Sequence, residues 1–268
     1  MALLENLVLV FIAGLITALA TGLGALPFFV IDDISDRWNV VLWGVASGIM
    51  VSASVFGLIF EGTASGTLTA VGIGMLAGVV LVVVAHEIIE EYEPEPGAYA
   101  EADFKKLLLI LGILTVHSFP EGVAVGVSFA ELNLPGLQDG ISFLGFGVPI
   151  VAVFITVAIA IHNVPEGVAI SIPLRAMDVS EPKMVWWAVF SSLPQPIGAV
   201  IAFGFVRYAR EFLPYGYGFA AGAMIFLVAT EFIPEALELG ERMEGGGRLE
   251  LVSGVALGFA VMVPLAFI

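Results

Sequence analysis

The chain has 268 residues, of which 59% are hydrophobic and only 13% are charged. Soluble proteins carry roughly a quarter charged residues, so this composition excludes an ordinary water-soluble domain and predicts an integral membrane protein. The net charge of −16 argues against binding to nucleic acid, and the lack of cysteine excludes disulfides and thiolate metal ligands.

Eight hydrophobic runs, each at least about the 20 residues needed to span a bilayer, follow one another along the chain. They lie near residues 3–30, 39–60, 66–90, 105–130, 144–174, 184–206, 216–239 and 247–268. No Lys or Arg precedes the first run, which is therefore interpreted as a retained helix and not as a signal peptide. We expect an all-α integral membrane protein with eight transmembrane helices.

The basic residues are divided unequally between the two sides that eight alternating helices would create. One side holds seven of them, namely Arg37, Lys105, Lys106, Arg175, Lys183, Arg242 and Arg248, and the other holds Arg207 and Arg210. Because cytoplasmic loops are enriched in Lys and Arg, this predicts a cell-membrane protein with both termini on the outer face. Residues 91–104, which contain acids, Pro and Gly, are then expected to form a flexible cytoplasmic loop.

One short pattern occurs in two copies, HSFPEGVA and HNVPEGVA, in the fourth and fifth hydrophobic runs. Four residues along an α-helix make slightly more than one turn, so His117 and Glu121 share one helix face, as do His162 and Glu166. Ionisable groups at membrane depth cost at least ~2.5 kcal/mol each, and they are usually found where they bind something or line a path. The repeated pattern therefore predicts a cation site.

Each copy also contains a proline, Pro120 or Pro165, which lacks an N–H and crowds the carbonyl four residues earlier. We expect both helices to bend there and to form an inverted repeat around a site near mid-membrane. Imidazole and carboxylate ligands suit Zn²⁺ and other first-row divalent ions such as Fe²⁺ and Mn²⁺. Ser118 and Asn163 add neutral oxygen atoms beside the histidines.

Two weaker signals lie in the sixth and seventh runs. Gln195 stands between two prolines, and Glu231 precedes Pro234 by three residues. Either position could be an ordinary kink, since membrane helices tolerate proline. Glu231 is nonetheless a third carboxylate inside a predicted span.

At these residues the chain resembles the ZIP family of divalent metal transporters, particularly its bacterial and archaeal members. The resemblance implies a two-metal site with the ligands His117, Ser118, Glu121, His162, Asn163, Glu166, Gln195 and Glu231. The two histidines would serve one ion, Asn163 and Ser118 the other, and the two motif glutamates would bridge both, with Glu231 contributing to the second ion. Ser118 stands where many members have Asn, so we expect a weak or empty second position.

The resemblance further implies a homodimer that takes up a divalent metal ion toward the cytoplasm. Zinc is the first candidate, and Cd²⁺, Fe²⁺ and Mn²⁺ are the others. Residues 1–268 would then be a single transmembrane transport domain, not an enzyme, with the metal ion and the bilayer as its partners. An intramembrane zinc-dependent hydrolase is the alternative, because a Zn²⁺ ion with one open position can activate water beside a Glu that acts as the base.

Overall fold

The computed structural model describes residues 2–31, 33–91, 101–133 and 140–264. Most of these residues are helical, and the sheet among them is a two-stranded hairpin. This confirms the expected helical class of the protein in its coarse form.

Eleven α-helices occur in the described residues. They are α1 Ala2–Leu23, α2 Asp36–Ser52, α3 Phe60–Ser65, α4 Leu68–Glu91, α5 Glu101–Ser128, α6 Ile150–Ala176, α7 Glu181–Ser191, α8 Pro194–Tyr208, α9 Leu213–Leu227, α10 Ile233–Glu241 and α11 Arg248–Met262. A π-helical segment, Ala53–Ile59, joins α2 to α3, and a second, Val228–Phe232, joins α9 to α10. Short 3-10 turns lie at Leu26–Phe29 and Arg210–Phe212.

Six stretches of the described residues are helical, long and apolar enough to cross a bilayer. They are Leu3–Leu23, Asp36–Ser65, Leu68–Ile88, Ile150–Ala176, Glu181–Tyr208 and Arg210–Glu241. Helices α5 and α11, which cover most of the fourth and eighth predicted runs, are not among these six. Large apolar side chains such as Leu76 (68% exposed) and Val80 (58%) face outward, as a lipid-covered surface requires. The chain is therefore a multi-pass membrane protein.

The predicted start of the fifth run at residue 144 is wrong, because an antiparallel hairpin precedes the helix. Strand β1 (Gly140–Phe143) pairs with β2 (Phe146–Pro149), and α6 begins only at Ile150. The turn residues Leu144 and Gly145 have φ values of 50° and 85°, a conformation that Gly adopts without strain. A short apolar run does not by itself distinguish a strand from a helix, and the Gly and Pro residues in this segment indicate a turn and a late helix start.

The predicted loop at residues 91–104 is shorter at both ends than expected. Glu91 is the last residue of α4, and α5 already begins at Glu101. Residues 92–100, on which the rest of that prediction rests, lie outside the described residues.

The sixth span is interrupted, and the interruption positions Gln195. Between α7 and α8 the chain makes a turn at Ser192 and Leu193, and Pro194 then opens α8. Proline suits the first position of a helix because its missing N–H would have no partner there. Gln195 therefore projects from the first turn of a new helix, and not from the middle of a kinked one.

Helix pairs approach each other closely at glycines. A Cβ at Gly44 or Gly48 of α2 would collide with the backbone of α11, and a Cβ at Gly74 or Gly78 of α4 would collide with the backbone of α9. Such contacts are typical of membrane proteins, where packing replaces the hydrophobic effect between helices. Helix α5 meets α8, and α1 meets α6, in the same way at the candidate site described next.

Candidate metal centre

Three ionisable side chains meet between α5 and α6: Glu121 from the first copy of the repeated pattern, and His162 and Glu166 from the second. One ligand atom of each lies within 4.8 Å of those of the other two. His162 Nε2 is 3.0 Å from Glu121 Oε1 and 3.9 Å from Glu166 Oε1. All three residues are buried, with at most 2% of their surface exposed. The two copies thus contribute to one cluster.

The ring of His162 is oriented by the turn of helix that precedes it. Its Nδ1 lies 3.2 Å from the carbonyl oxygen of Ala158, four residues earlier. A carbonyl can only accept a hydrogen bond, so Nδ1 carries the hydrogen. Nε2 is thereby directed toward the two carboxyl groups, where it shares a hydrogen bond with Glu121 Oε1 at 3.0 Å and where it could instead bind a metal ion.

The carboxyl groups of this cluster need a proton or a cation to compensate their charge. Two carboxyl groups lie within 4.8 Å of one histidine and of each other, away from solvent. Glu166 Oε1 is buried and has no hydrogen-bond partner in the described part of the chain. A buried, unpaired carboxylate oxygen is strongly unfavourable unless a proton or a cation compensates it. A divalent ion held by both carboxylates and His162 Nε2 would satisfy all three groups.

Two amide side chains connect the cluster to α1. Asn163 Nδ2 donates one hydrogen bond to the carbonyl oxygen of Thr17 (2.7 Å) and another to Gln195 Oε1 (3.1 Å). Gln195 Nε2 in turn donates to Glu121 Oε2 at 2.5 Å. Asn163 and Gln195 are fully buried. These residues form a continuous path of hydrogen bonds from the backbone of α1 to a carboxylate of the cluster.

The glycine that follows Glu in each copy of the pattern permits this arrangement. A Cβ at Gly122 would collide with the backbone of Gln195, and a Cβ at Gly167 would collide with the carbonyl of Thr21. Gly122 therefore lets α5 touch the start of α8, and Gly167 lets α6 touch α1. The Glu-Gly pair thus combines a ligand with the close helix contact beside it.

His117 is buried but turns toward a different neighbour. Its ring centroid is 5.9 Å from that of His86 in α4 and 6.2 Å from that of Phe232. Neither of its ring nitrogens has a hydrogen-bond partner within the described ranges. His117 is therefore available as a ligand, although it does not belong to the three-residue cluster. Ser118, the next residue, is also buried.

Glu231 pairs with His86. The distance from His86 Nδ1 to Glu231 Oε1 is 3.4 Å, and both side chains are partly buried. Glu231 lies in the π-helical segment Val228–Phe232, a local structure that is frequent at functional sites. The structure therefore places Glu231 with His86 and His117, while Glu121, His162 and Glu166 form the main cluster.

Sequence reasoning missed two participants in these networks. The contact of Thr17 is made by its backbone carbonyl, for which no residue-level signal exists. His86 carried a signal, because the chain has only three histidines and the other two belong to the repeated pattern. It lies near the end of the third predicted run, 66–90, where a lone histidine is more often solvated than a ligand.

Comparisons with known proteins point to one family. A model described as the ZIP zinc transporter matches residues 139–266. The zinc transporter ZIPB of Bordetella bronchiseptica is 33% identical over 257 residues, which cover 92% of this chain and 76% of that protein. The zinc transporter GufA of Myxococcus xanthus is 29% identical, with 95% of this chain and 96% of that protein covered.

A longer relative matches with higher identity. A putative zinc transporter of Arabidopsis thaliana is 40% identical over 222 residues, or 82% of this chain, and the match spans only 33% of that protein. The family match contains the second copy of the repeated pattern together with Gln195 and Glu231, and it begins after the end of α5, which carries the first copy.

Proposed function

Because this chain belongs to the ZIP zinc transporter family, we propose that it moves divalent transition metal ions, with zinc as its first substrate, across the cell membrane. The observation that carries the proposal is the buried cluster of Glu121, His162 and Glu166, whose ligand atoms lie within 4.8 Å of one another. Two carboxylates neutralise the charge of one divalent ion and so reduce the cost of removing its water.

The choice of ion follows from the donor atoms. The chain offers nitrogen and oxygen ligands and contains no cysteine. One imidazole and two carboxylates suit Zn²⁺, and they also suit Fe²⁺ and Mn²⁺. Among these ions, selectivity depends on the geometry of the site and on the supply of each metal more than on raw affinity. Cd²⁺ has the same charge and is a further candidate. The relatives ZIPB and GufA are each named as zinc transporters, which favours zinc.

The proposed topology has eight spans, in which α5 and α11 join the six apolar stretches described above. Helices α5 and α6 then run antiparallel, bend at Pro120 and Pro165, and form an inverted repeat around the cluster. The seven basic residues on one predicted side support an orientation with both termini on the outer face. In this orientation transport toward the cytoplasm passes from the cluster toward the end of α4.

His86, His117 and Glu231 are proposed as a second station on this path. His86 and Glu231 already face each other at 3.4 Å, and both nitrogens of His117 lack hydrogen-bond partners within the described residues. An ion leaving the cluster through the inner half of the protein would meet imidazole and carboxylate ligands again. Weak binding at several positions lets an ion both enter and leave a path.

A two-metal centre remains part of the proposal as an alternative occupancy of the main cluster. Ser118 and Asn163 would supply neutral oxygen ligands to the second ion, and Asn163 Oδ1 is buried without a partner in the described part of the chain. A homodimer is likewise proposed from the resemblance to the family. Transport, and not hydrolysis, is the activity of this family, so the prediction that the chain is not an enzyme holds and the hydrolase alternative is dropped.

Ion flux into liposomes tests the proposal. The purified chain is reconstituted, and entry of Zn²⁺, Cd²⁺, Fe²⁺ and Mn²⁺ is followed for the wild type, for Glu166→Ala and for Glu238→Ala. Glu238 is an exposed acid in α10 and serves as the matched control. We expect saturable Zn²⁺ flux in the wild type and the control and its loss in Glu166→Ala. Unchanged flux in Glu166→Ala would show that the proposed ligand set is wrong.

A further inference from the structure

We propose that Gln195 is a positioning residue which restricts the main cluster to one metal ion, because its amide N–H occupies the carboxylate oxygen that a second ion would need. This inference rests on the proposed function and concerns the number of ions that the cluster binds. It starts from the hydrogen bonds that link Thr17, Asn163, Gln195 and Glu121.

The direction of these hydrogen bonds is set at the α1 end. The backbone carbonyl of Thr17 can only accept, so the atom of Asn163 that lies 2.7 Å away must be its NH₂ group. The second hydrogen of that group points to Gln195 at 3.1 Å, where it requires an acceptor. Gln195 therefore presents Oε1 to Asn163 and its NH₂ group to Glu121.

The consequence for Glu121 is that its two oxygen atoms have different tasks. Oε1 faces His162 Nε2 at 3.0 Å and belongs to the cluster. Oε2 accepts the hydrogen bond from Gln195. A carboxylate that binds two metal ions through separate oxygens needs both oxygens free, whereas this one has a single oxygen directed toward the ion. The amide hydrogen supplies at Oε2 the positive partial charge that a second cation would otherwise supply.

The residues around that position are also neutral. Asn163 and Gln195 are amides, and both are fully buried. A second divalent ion placed there would gain no further negative charge from them, although it would lose its water and displace two hydrogen bonds. By contrast, an ion bound to Glu121 Oε1, His162 and Glu166 leaves the hydrogen bonds from Thr17 through Asn163 and Gln195 to Glu121 intact. The unpartnered Asn163 Oδ1 remains available to that single ion or to a water molecule bound to it.

Metal stoichiometry of the purified chain tests this proposal. Zn²⁺ per chain is measured by equilibrium dialysis and elemental analysis, and Mn²⁺ is used as a spin probe, because two Mn²⁺ ions bridged by one carboxylate give a coupled spectrum. We expect one Glu166-dependent ion and an uncoupled signal in the wild type. Gln195→Glu replaces the donor by a carboxylate in the same place, and we expect it to bind two ions with a coupled signal.

Two further variants keep the test decisive. Asn6→Asp makes the same amide-to-carboxylate change at a buried site where the Asn6 oxygen already accepts a hydrogen bond from Asn133, and we expect it to bind one ion. Gln195→Leu removes the donor without adding a ligand. Glu121 Oε2 is then free, but the site gains no negative charge, so we expect a second ion to bind only weakly. The Glu166-dependent Zn²⁺ ion should bind roughly 10–100-fold less tightly, as for other residues that orient a metal ligand.

The outcomes separate this proposal from the one on which it rests. Two coupled ions in the wild type that fall to one in Gln195→Leu would make Gln195 a ligand and overturn the inference, while metal transport would stand. A stoichiometry of one in a folded Gln195→Glu would overturn it as well. If no variant, including the wild type, shows a Glu166-dependent ion, both the inference and the proposed function fail.

Discussion

Replacing Gly122 by alanine tests whether the close contact between α5 and α8 builds the site. A Cβ at this position would lie 2.8 Å from Gln195 Cα, whereas ordinary contacts begin at 3.4 Å, and the carbonyl oxygen of Gln195 would be closer still. The opposing atoms are backbone atoms, so no side chain can rotate away. The two helices must separate by at least several tenths of an ångström.

The free energy of this change has two opposing parts. Overpacking in a rigid interior costs typically 1–3 kcal/mol, and a backbone collision belongs to the upper half of that range. Alanine is favoured over glycine inside a helix by about 1 kcal/mol. The net destabilisation is therefore about 1–2 kcal/mol, which lowers the melting temperature of a chain of this size by roughly 2–8 °C. Since the displacement moves Gln195 away from Glu121, Zn²⁺ affinity should fall about tenfold.

The control is Gly204→Ala in α8, where a Cβ would meet nothing within 4 Å. Thermal melting in detergent and Zn²⁺ titration calorimetry are measured for both variants and the wild type. We expect Gly204→Ala to melt at or above the wild-type temperature and to bind Zn²⁺ normally. A Gly122→Ala variant that matches the wild type in both measurements would refute the role of this contact.

Three other substitutions test helix packing away from the site, the second station on the ion path, and a surface ion pair. Gly48→Ala, whose Cβ would collide with the backbone at Val255, should lower the melting temperature by a few degrees and leave Zn²⁺ affinity unchanged in calorimetry; an equal loss of affinity would contradict independent packing of α2 and α11. Glu231→Gln should slow Zn²⁺ flux about tenfold, by weakening the second station, and leave equilibrium binding at the main cluster intact; a proportional loss of both would place Glu231 in that cluster. Arg37→Ala removes a 3.2 Å ion pair with Glu250 in which the Arg37 side chain is 73% exposed. Its free energy of unfolding should therefore change by no more than about 1 kcal/mol, and its melting temperature by no more than roughly 4 °C; a larger shift would mean that the pair is protected from solvent.

The helical class, and the meeting of three of the predicted ligands, could be predicted because their signals are local. Long apolar runs identify helices at membrane depth through their length alone. The His-x₃-Glu spacing places two side chains on one helix face without knowledge of the rest of the fold. Glu121, His162 and Glu166 were therefore predicted ligands, and the structure brings them within 4.8 Å of one another.

The partners of the remaining site residues depend on tertiary packing. His117 has the same local pattern as His162, yet its ring faces His86 and Phe232. The neighbour that this helix face meets depends on the packing of α4 and of the π-helical segment Val228–Phe232. Residue spacing within one helix does not predict that packing. Glu231 was assigned to a second ion by resemblance, and the structure pairs it with His86. The hairpin before α6 is not predicted, because the apolar residues of β2 continue directly into those of the helix.

The chain of hydrogen bonds from Thr17 through Asn163 and Gln195 to Glu121 has a consequence for how the site can change by mutation. Glutamine and glutamate codons differ only in their first base, and the same is true of asparagine and aspartate codons. A point mutation at Gln195 would exchange a hydrogen-bond donor for a negative charge without altering the shape of the side chain. Populations that face a changed supply of metal ions can therefore reach a differently charged centre in one mutational step, with the helices that support it left as they are.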